Sequence, residues 1–329
     1  MDPNIMRLDN MPVAESNDDT IVQGTSNDAA VSRESAARLG YMVDQYIHNF
    51  VRLPQRRPPL INRGTYCRFH GIQSALRQFT ESEAESKQVV VLGAGLDTAY
   101  FILKSEGLLN NVRYFEIDFE EITAKKASTV YRKRELKALL PPDIKIARGG
   151  AELHSPSYNL LAGDLRAFEA QVVPKLMERG FQTDVPTLFI SECVLIYLDP
   201  KYSDRILDWA TDNVLNCGII TYEQILPGDR FGKMMIENLR ARGLELRGLH
   251  AHPTLESMEK RFSGRGWQFS KAVDLVDYHD QCVEKNELDR IARIEFLDEW
   301  EEFTLLAQHY AFTFAYRTSS LPFSAMHIV

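Results

Sequence analysis

Two glycines, Gly93 and Gly95, follow the apolar run Gln88-Val-Val-Val-Leu92 and precede a segment that reads as helix from Asp97. A glycine turn at that place lets a ligand come close to the backbone, because no Cβ stands in the way. Three carboxylates share the setting. Asp118 ends the run Tyr114-Phe-Glu-Ile-Asp118, 23 positions after Gly95; Asp164 follows Leu160-Leu-Ala-Gly163; Glu192 follows Leu188-Phe-Ile-Ser191. An acid at the position of Asp118 can accept hydrogen bonds from ribose hydroxyls. Asp164 can accept from an adenine amino group while the amide of Leu165 reads a ring nitrogen. Glu192 sits in an apolar stretch where a carboxylate is costly to bury unless paired. Asp164 could equally be a plain helix cap, and a cap is the lesser alternative for Asp118. Glycines and acids on three strand ends together point to a cofactor containing adenosine. A full dinucleotide fingerprint needs a third glycine where Thr98 stands, which disfavours a nicotinamide enzyme.

The elements that must hold these residues alternate. Short β-branched or apolar runs at 88–93, 113–118, 157–163, 186–191 and 217–223 read as buried strands. Helices are expected between them at 97–104, 120–139, 165–179 and 202–215. That alternation predicts a doubly wound, Rossmann-like parallel sheet in an α/β domain. Further helices are expected near 231–242, 254–263 and 284–302. Strands near 267–276 and 308–317 should add an antiparallel pair at the sheet edge. Ahead of the sheet, helices over 26–50 and 65–79, broken by prolines between 54 and 59, form a helical layer over 26–80 that reads as a lid. Residues 1–25 are polar and acidic and are expected to form a disordered tail. Residues 26–329 read as one domain.

Bulk properties exclude other classes. A net charge of −8 argues against a nucleic-acid partner, whose phosphates need a basic face. No apolar run approaches the ~20 residues needed to span a bilayer. The four scattered cysteines suit a reducing compartment, and the acidic N-terminus is no secretory signal, so a cytoplasmic protein is expected. His250 and His252 have no metal-ligand spacing around them, and no metal is expected. Cys193 lies in an apolar run and reads as a small hydrophobe.

The segments VVVLGAGLDTAYF, YFEIDFEEI, GDLR, LFISECVLIYLDP, YEQILPGDRFGKMMIENL, EFLDEWEE and INRGTYCRFHGI resemble, in order, those of the leucine carboxyl methyltransferases. The resemblance runs from about residue 26 to 317. It implies a class I methyltransferase fold, S-adenosyl-L-methionine as methyl donor, and the C-terminal leucine carboxylate of the protein phosphatase 2A catalytic subunit as acceptor. It further implies cofactor contacts at Gly93, Asp118, Asp164, Leu165 and Glu192, and at Arg68 and Arg33 for the methionine end. Arg33 stands where relatives can carry lysine, and only arginine offers a planar fork. Tyr197 and Arg230 are implied as groups positioning the acceptor, although Gly228-Asp229 before a helix is also an ordinary cap. Methylation of another carboxylate or of a small molecule, or phosphatase binding without catalysis, would keep much of the same sequence. A related tRNA wybutosine enzyme normally carries a long extra propeller region.

An α-carboxyl ionises near pH 3.5, so methyl transfer to it needs no general base, and none is predicted. In-line placement of the attacking oxygen in a dry pocket can supply roughly 7–11 kcal/mol.

Overall fold

The computed structural model describes residues 17–226, 228–318 and 322–327. Nine strands form one mixed sheet: β1 (Lys87–Leu92), β2 (Val112–Asp118), β3 (Lys145–Ala147), β4 (Glu152–His154), β5 (Tyr158–Ala162), β6 (Thr187–Glu192), β7 (Cys217–Gln224), β8 (Phe269–Asp274) and β9 (Tyr310–Tyr316). Their order is β3-β4-β5-β2-β1-β6-β7-β9-β8. The five central strands run parallel, and β3, β4, β8 and β9 add antiparallel edges.

β1 is buried at all six positions, as a strand covered on both faces should be. Its side chains divide by twos. Val89 and Val91 join a core with Leu76, Phe79, Phe101 and Phe312 on one face. Val90 and Leu92 join Phe115, Leu176, Ile206 and Trp209 on the other.

From β1 the chain steps outward to β2 and, past the β3–β4 hairpin, to β5. It then crosses back to β6 on the other flank of β1. The crevice at the carboxyl ends of β1 and β6 is therefore the topological switch point, where ligands of open α/β sheets bind. On the far side, β9 enters between β7 and β8, so the expected antiparallel pair is present and β8 is the edge.

The helices are α1 (Asn17–Leu39), α2 (Pro59–Glu81), α3 (Ala99–Ser105), α4 (Glu120–Arg132), α5 (Arg134–Lys137), α6 (Val173–Glu178), α7 (Pro200–Asn213), α8 (Arg230–Ala241), α9 (Leu255–Ser263), α10 (Leu275–Gln281), α11 (Lys285–Ala292) and α12 (Trp300–Ala307). Three expectations need correcting. The acidic tail was expected to reach residue 25, but 17–25 are already the first turns of α1, and 1–16 lie outside the described residues. The helix over 26–50 stops at Leu39, because Gly40 takes φ +89 and Tyr41 N–H donates back to Ala36 O at 2.9 Å. The helix over 284–302 is two helices, α11 and α12, separated by an irregular stretch. Pro59 begins α2 at a position where a missing N–H costs nothing.

Candidate active site

A cavity of about 480 Å³ lies at the carboxyl ends of the central strands. It is within the size range of small-molecule and cofactor sites, about 300–1,000 Å³. Arg33, Arg68, Gly93, Gly95, Asp118, Asp164, Leu165, Glu192 and Tyr197 all line it. Arg230 does not. It is an exposed first residue of α8. Its neighbour Asp229 caps that helix through Gly232 N–H at 2.7 Å and meets His309 Nε2 at 3.0 Å. The cap reading describes Gly228-Asp229 here.

The glycine loop is fixed from β2. Gly93 and Gly95 take φ +64 and +52, and a Cβ on Gly93 would overlap the side chain of Val194. Gly95 N–H donates to Asp118 Oδ2 at 2.6 Å and Phe119 N–H to Asp118 Oδ1 at 2.7 Å. Burial pushes the Asp118 carboxyl up to about 6, against the pull of those two amides.

Asp164 caps the short 3-10 turn Leu165–Ala167 by accepting from Arg166 N–H at 2.8 Å. Cap and cavity wall are thus the same residue. Its carboxylate is also forked onto the Arg166 guanidinium, with Nη2 to Oδ2 at 2.7 Å. Arg166 reaches on to Asp19 of α1 through two further bonds at 3.0 and 2.9 Å.

Two arginines enter from the N-terminal helices. Arg68 on α2 donates from Nε to Glu192 Oε2 at 2.8 Å and lies over the Tyr222 ring. Burial works against its charge, but the carboxylate beside it holds the guanidinium above its ordinary range. Glu192, the acid that needed a partner, has one. Arg33 on α1 donates from Nε to Asp44 at 2.8 Å and from Nη1 to Asp97. Asp97 in turn accepts from Ala99 N–H at 3.0 Å. The Arg33 Nη2 atom is buried with no hydrogen-bond partner.

The loop after β6 is held from beneath. Glu223 on β7 accepts from the amides of Val194, Leu195 and Ile196 at 3.1–3.3 Å. This steadies Cys193 at φ +55 and the 3-10 turn Leu195–Tyr197 that presents Tyr197. Burial pushes the Glu223 carboxyl up to about 7.

Asp44, Arg166 and Glu223 are not marked by the sequence alone, and Asp97 only as the start of a helix. Each acts through a residue far away in the chain, a relation that local spacing does not carry. Among the described residues, no group of three His, Cys, Asp or Glu is placed to hold a metal.

The sequence profile described as leucine carboxyl methyltransferase matches residues 11–211. The leucine carboxyl methyltransferase 1 homolog of Arabidopsis thaliana is 40% identical over 299 residues, covering 89% of this chain and 88% of its own. The chain belongs to the leucine carboxyl methyltransferase family. Leucine carboxyl methyltransferase 1 of Bos taurus is 38% identical over 311 residues, covering 92% of each chain. Among solved structures, a methyltransferase of Thermobifida fusca superposes with TM-score 0.55 at 14% identity, over 88% of this chain and 94% of its own. At that identity the likeness speaks for the fold, which is that of the class I S-adenosylmethionine-dependent methyltransferases. The site fits such a cofactor in its own right. A glycine loop without room for a Cβ borders a buried carboxylate, and Arg33, which lines the same cavity, holds a buried Nη2 without a partner.

Proposed function

We propose that the protein esterifies the α-carboxylate of a C-terminal leucine on the protein phosphatase 2A catalytic subunit, in the cytoplasm, with S-adenosyl-L-methionine as donor. The observation that carries this is the cavity itself, where acids from β2, β5 and β6 meet two arginines from the helical layer. Membership of the family supports the reaction and the acceptor. For the location, the four free cysteines and the absence of any helix able to cross a membrane among the described residues are consistent.

When bound, the cofactor supplies a methyl group on a sulfonium centre. The roles proposed for this chain follow from the donors and acceptors each residue has left. Asp118 accepts from ribose hydroxyls with the lone pairs that Gly95 and Phe119 do not use. Asp164 and Leu165 border the adenine, and Gly93 and Gly95 let it and the sugar lie against backbone. Arg33 offers Nη2 to the methionine carboxylate, and Arg68 with Glu192 offers a cation and an anion to the two charges of an amino acid. Tyr197 borders the acceptor. No residue serves as a general base, because the acceptor carboxylate is already ionised at neutral pH. The protein's contribution is to orient two charged reactants and to exclude water from between them.

The test is transfer of a labelled methyl group to phosphatase 2A holoenzyme. Label is expected on the catalytic subunit and is expected to vanish when its terminal leucine is deleted. Equal labelling of the truncated subunit would show that another group is modified.

A further inference from the structure

Beyond Glu192 the chain leaves β6 and turns sharply, with Cys193 N–H donating to Tyr222 O at 2.7 Å. Cys193 takes φ +55, a left-handed backbone that a residue with a Cβ keeps only where its surroundings fix it. Glu192, Cys193, Val194 and Tyr197 of this stretch all line the cavity. Val194 occupies the space that a Cβ on Gly93 would need, so the loop also closes against the glycine turn. Moving this loop therefore disturbs both sides of the cavity at once.

The group that fixes it is Glu223, which lies behind the wall and is only 2% exposed. Ser191 donates from its hydroxyl to Oε1 at 3.2 Å, beside the three amides of Val194, Leu195 and Ile196. A carboxylate can accept from all four, and main-chain amides can accept nothing in return. A protonated carboxyl must place its O–H among these donors, and the loop loses part of its anchor. Burial outweighs the donors and pushes this carboxyl up to about 7, so the proton arrives near neutrality. Arg261 of α9 faces it with a positive charge, is itself 7% exposed, and is held by Ser203 and Asp204. Tyr197 and Cys193 face it from the loop, both pushed by burial above their ordinary ranges and so neutral at that pH. Across the sheet its neighbour on β9 is Ala311, which carries no charge.

We infer that Glu223 is a positioning residue for methyl transfer: its ionised carboxylate holds the loop over 193–197 in the working arrangement, and taking up a proton releases that loop. The inference rests on the esterification reading and adds to it a control of turnover. Asp118 acts on cofactor affinity, whereas Glu223 acts on the rate once cofactor and acceptor are both bound.

The experiment follows labelled methyl transfer to phosphatase 2A holoenzyme between about pH 5.5 and 8.5, with both substrates saturating. Wild-type kcat should be level above 7 and fall by up to about tenfold per unit below it. Glu223→Gln keeps the shape without the charge; it should lower the plateau about tenfold, abolish the fall, and change calorimetric cofactor affinity less than kcat. Arg261→Gln should keep the plateau and move the fall to higher pH, a readout that holds if the first variant folds poorly. Hydrogen exchange needs no acceptor: relative to intrinsic rates, the amides of Val194, Leu195 and Ile196 should be protected above the fall and open below it. A fall that persists in Glu223→Gln or stays in place in Arg261→Gln would overturn the positioning role and leave esterification standing. Equal protection of the three amides across the fall would do the same. Absence of label on the phosphatase at every pH would overturn the esterification reading and the turnover claim with it, while exchange still reports whether Glu223 holds the loop.

Discussion

The sheet beneath the cavity and the helix over it use charged pairs in opposite ways. In the floor, Lys126 of α4 meets Glu116 of β2 at 2.7 Å with both side chains fully buried. The contact is an ion pair without a well-aimed hydrogen bond, and Tyr158 donates to the same carboxylate at 2.9 Å. In the roof, α1 is tied down by Asp18 to Arg247 and Asp28 to Arg242, at 3.0 and 2.9 Å, with all four side chains about half exposed. Exposed pairs are weak and screened by salt, whereas a buried partner left alone has nowhere to place its charge. The contrast is between a sheet whose pair is fixed by burial and the outer flank of α1, whose pairs are exposed while Arg33 and Asp19 anchor the same helix through largely buried ones.

Removing one floor partner is expected to have the largest effect. Lys126→Met should cost about 3–5 kcal/mol of stability in urea unfolding, because Glu116 stays buried without a counter-charge. A loss below 1 kcal/mol would break the contrast between floor and roof. Gly93→Ala should cost about 1–3 kcal/mol through overlap with Val194, with an added penalty for the left-handed backbone, and should lower cofactor affinity as well.

The third prediction concerns pH. The Asp118 carboxyl sits at about 6 and its ionised form is the one able to accept from ribose hydroxyls. A ligand that favours the ionised form competes with the proton. Calorimetric affinity for the cofactor should therefore be flat above pH 7 and fall by up to about tenfold per unit below 6. Asp118→Asn should bind weakly and without that slope.

The smallest effects belong to the roof. Asp18→Asn and Asp28→Asn should each cost less than about 1 kcal/mol, with the loss shrinking further in high salt. Cofactor dissociation measured by stopped flow should nevertheless quicken in the double variant. A dissociation rate insensitive to both salt and these substitutions would mean that α1 is no cover.

Much of the floor was legible because its signals are local. Gln88-Val-Val-Val-Leu92 is apolar on both faces, and the acids at 118, 164 and 192 mark three strand ends by standing directly after apolar runs. The edge strands β3 and β4 were missed for the converse reason. They are three residues each, and β3 is largely exposed, so no apolar run announces them. The stop at Gly40 is marked by a glycine directly after Leu39, but small and apolar residues continue at helical spacing to Ile47 and mask it. Glu223 stands within β7 without any motif, so only its burial and its partners draw notice. Arg33 was placed by resemblance, yet its partners Asp44 and Asp97 lie 11 and 64 positions on, contacts that only folding makes visible.

Ser26 of α1 lies over the glycine loop so closely that a Cβ placed on Gly95 would come within 3.4 Å of its side chain. Nothing larger than a methyl fits between helix and loop at that point. Whatever occupies the loop and must later be exchanged cannot pass there while α1 is seated. Exchange at the loop therefore runs through another part of the cavity mouth or displaces α1, and the buried ties of Arg33 and Asp19 resist the second route.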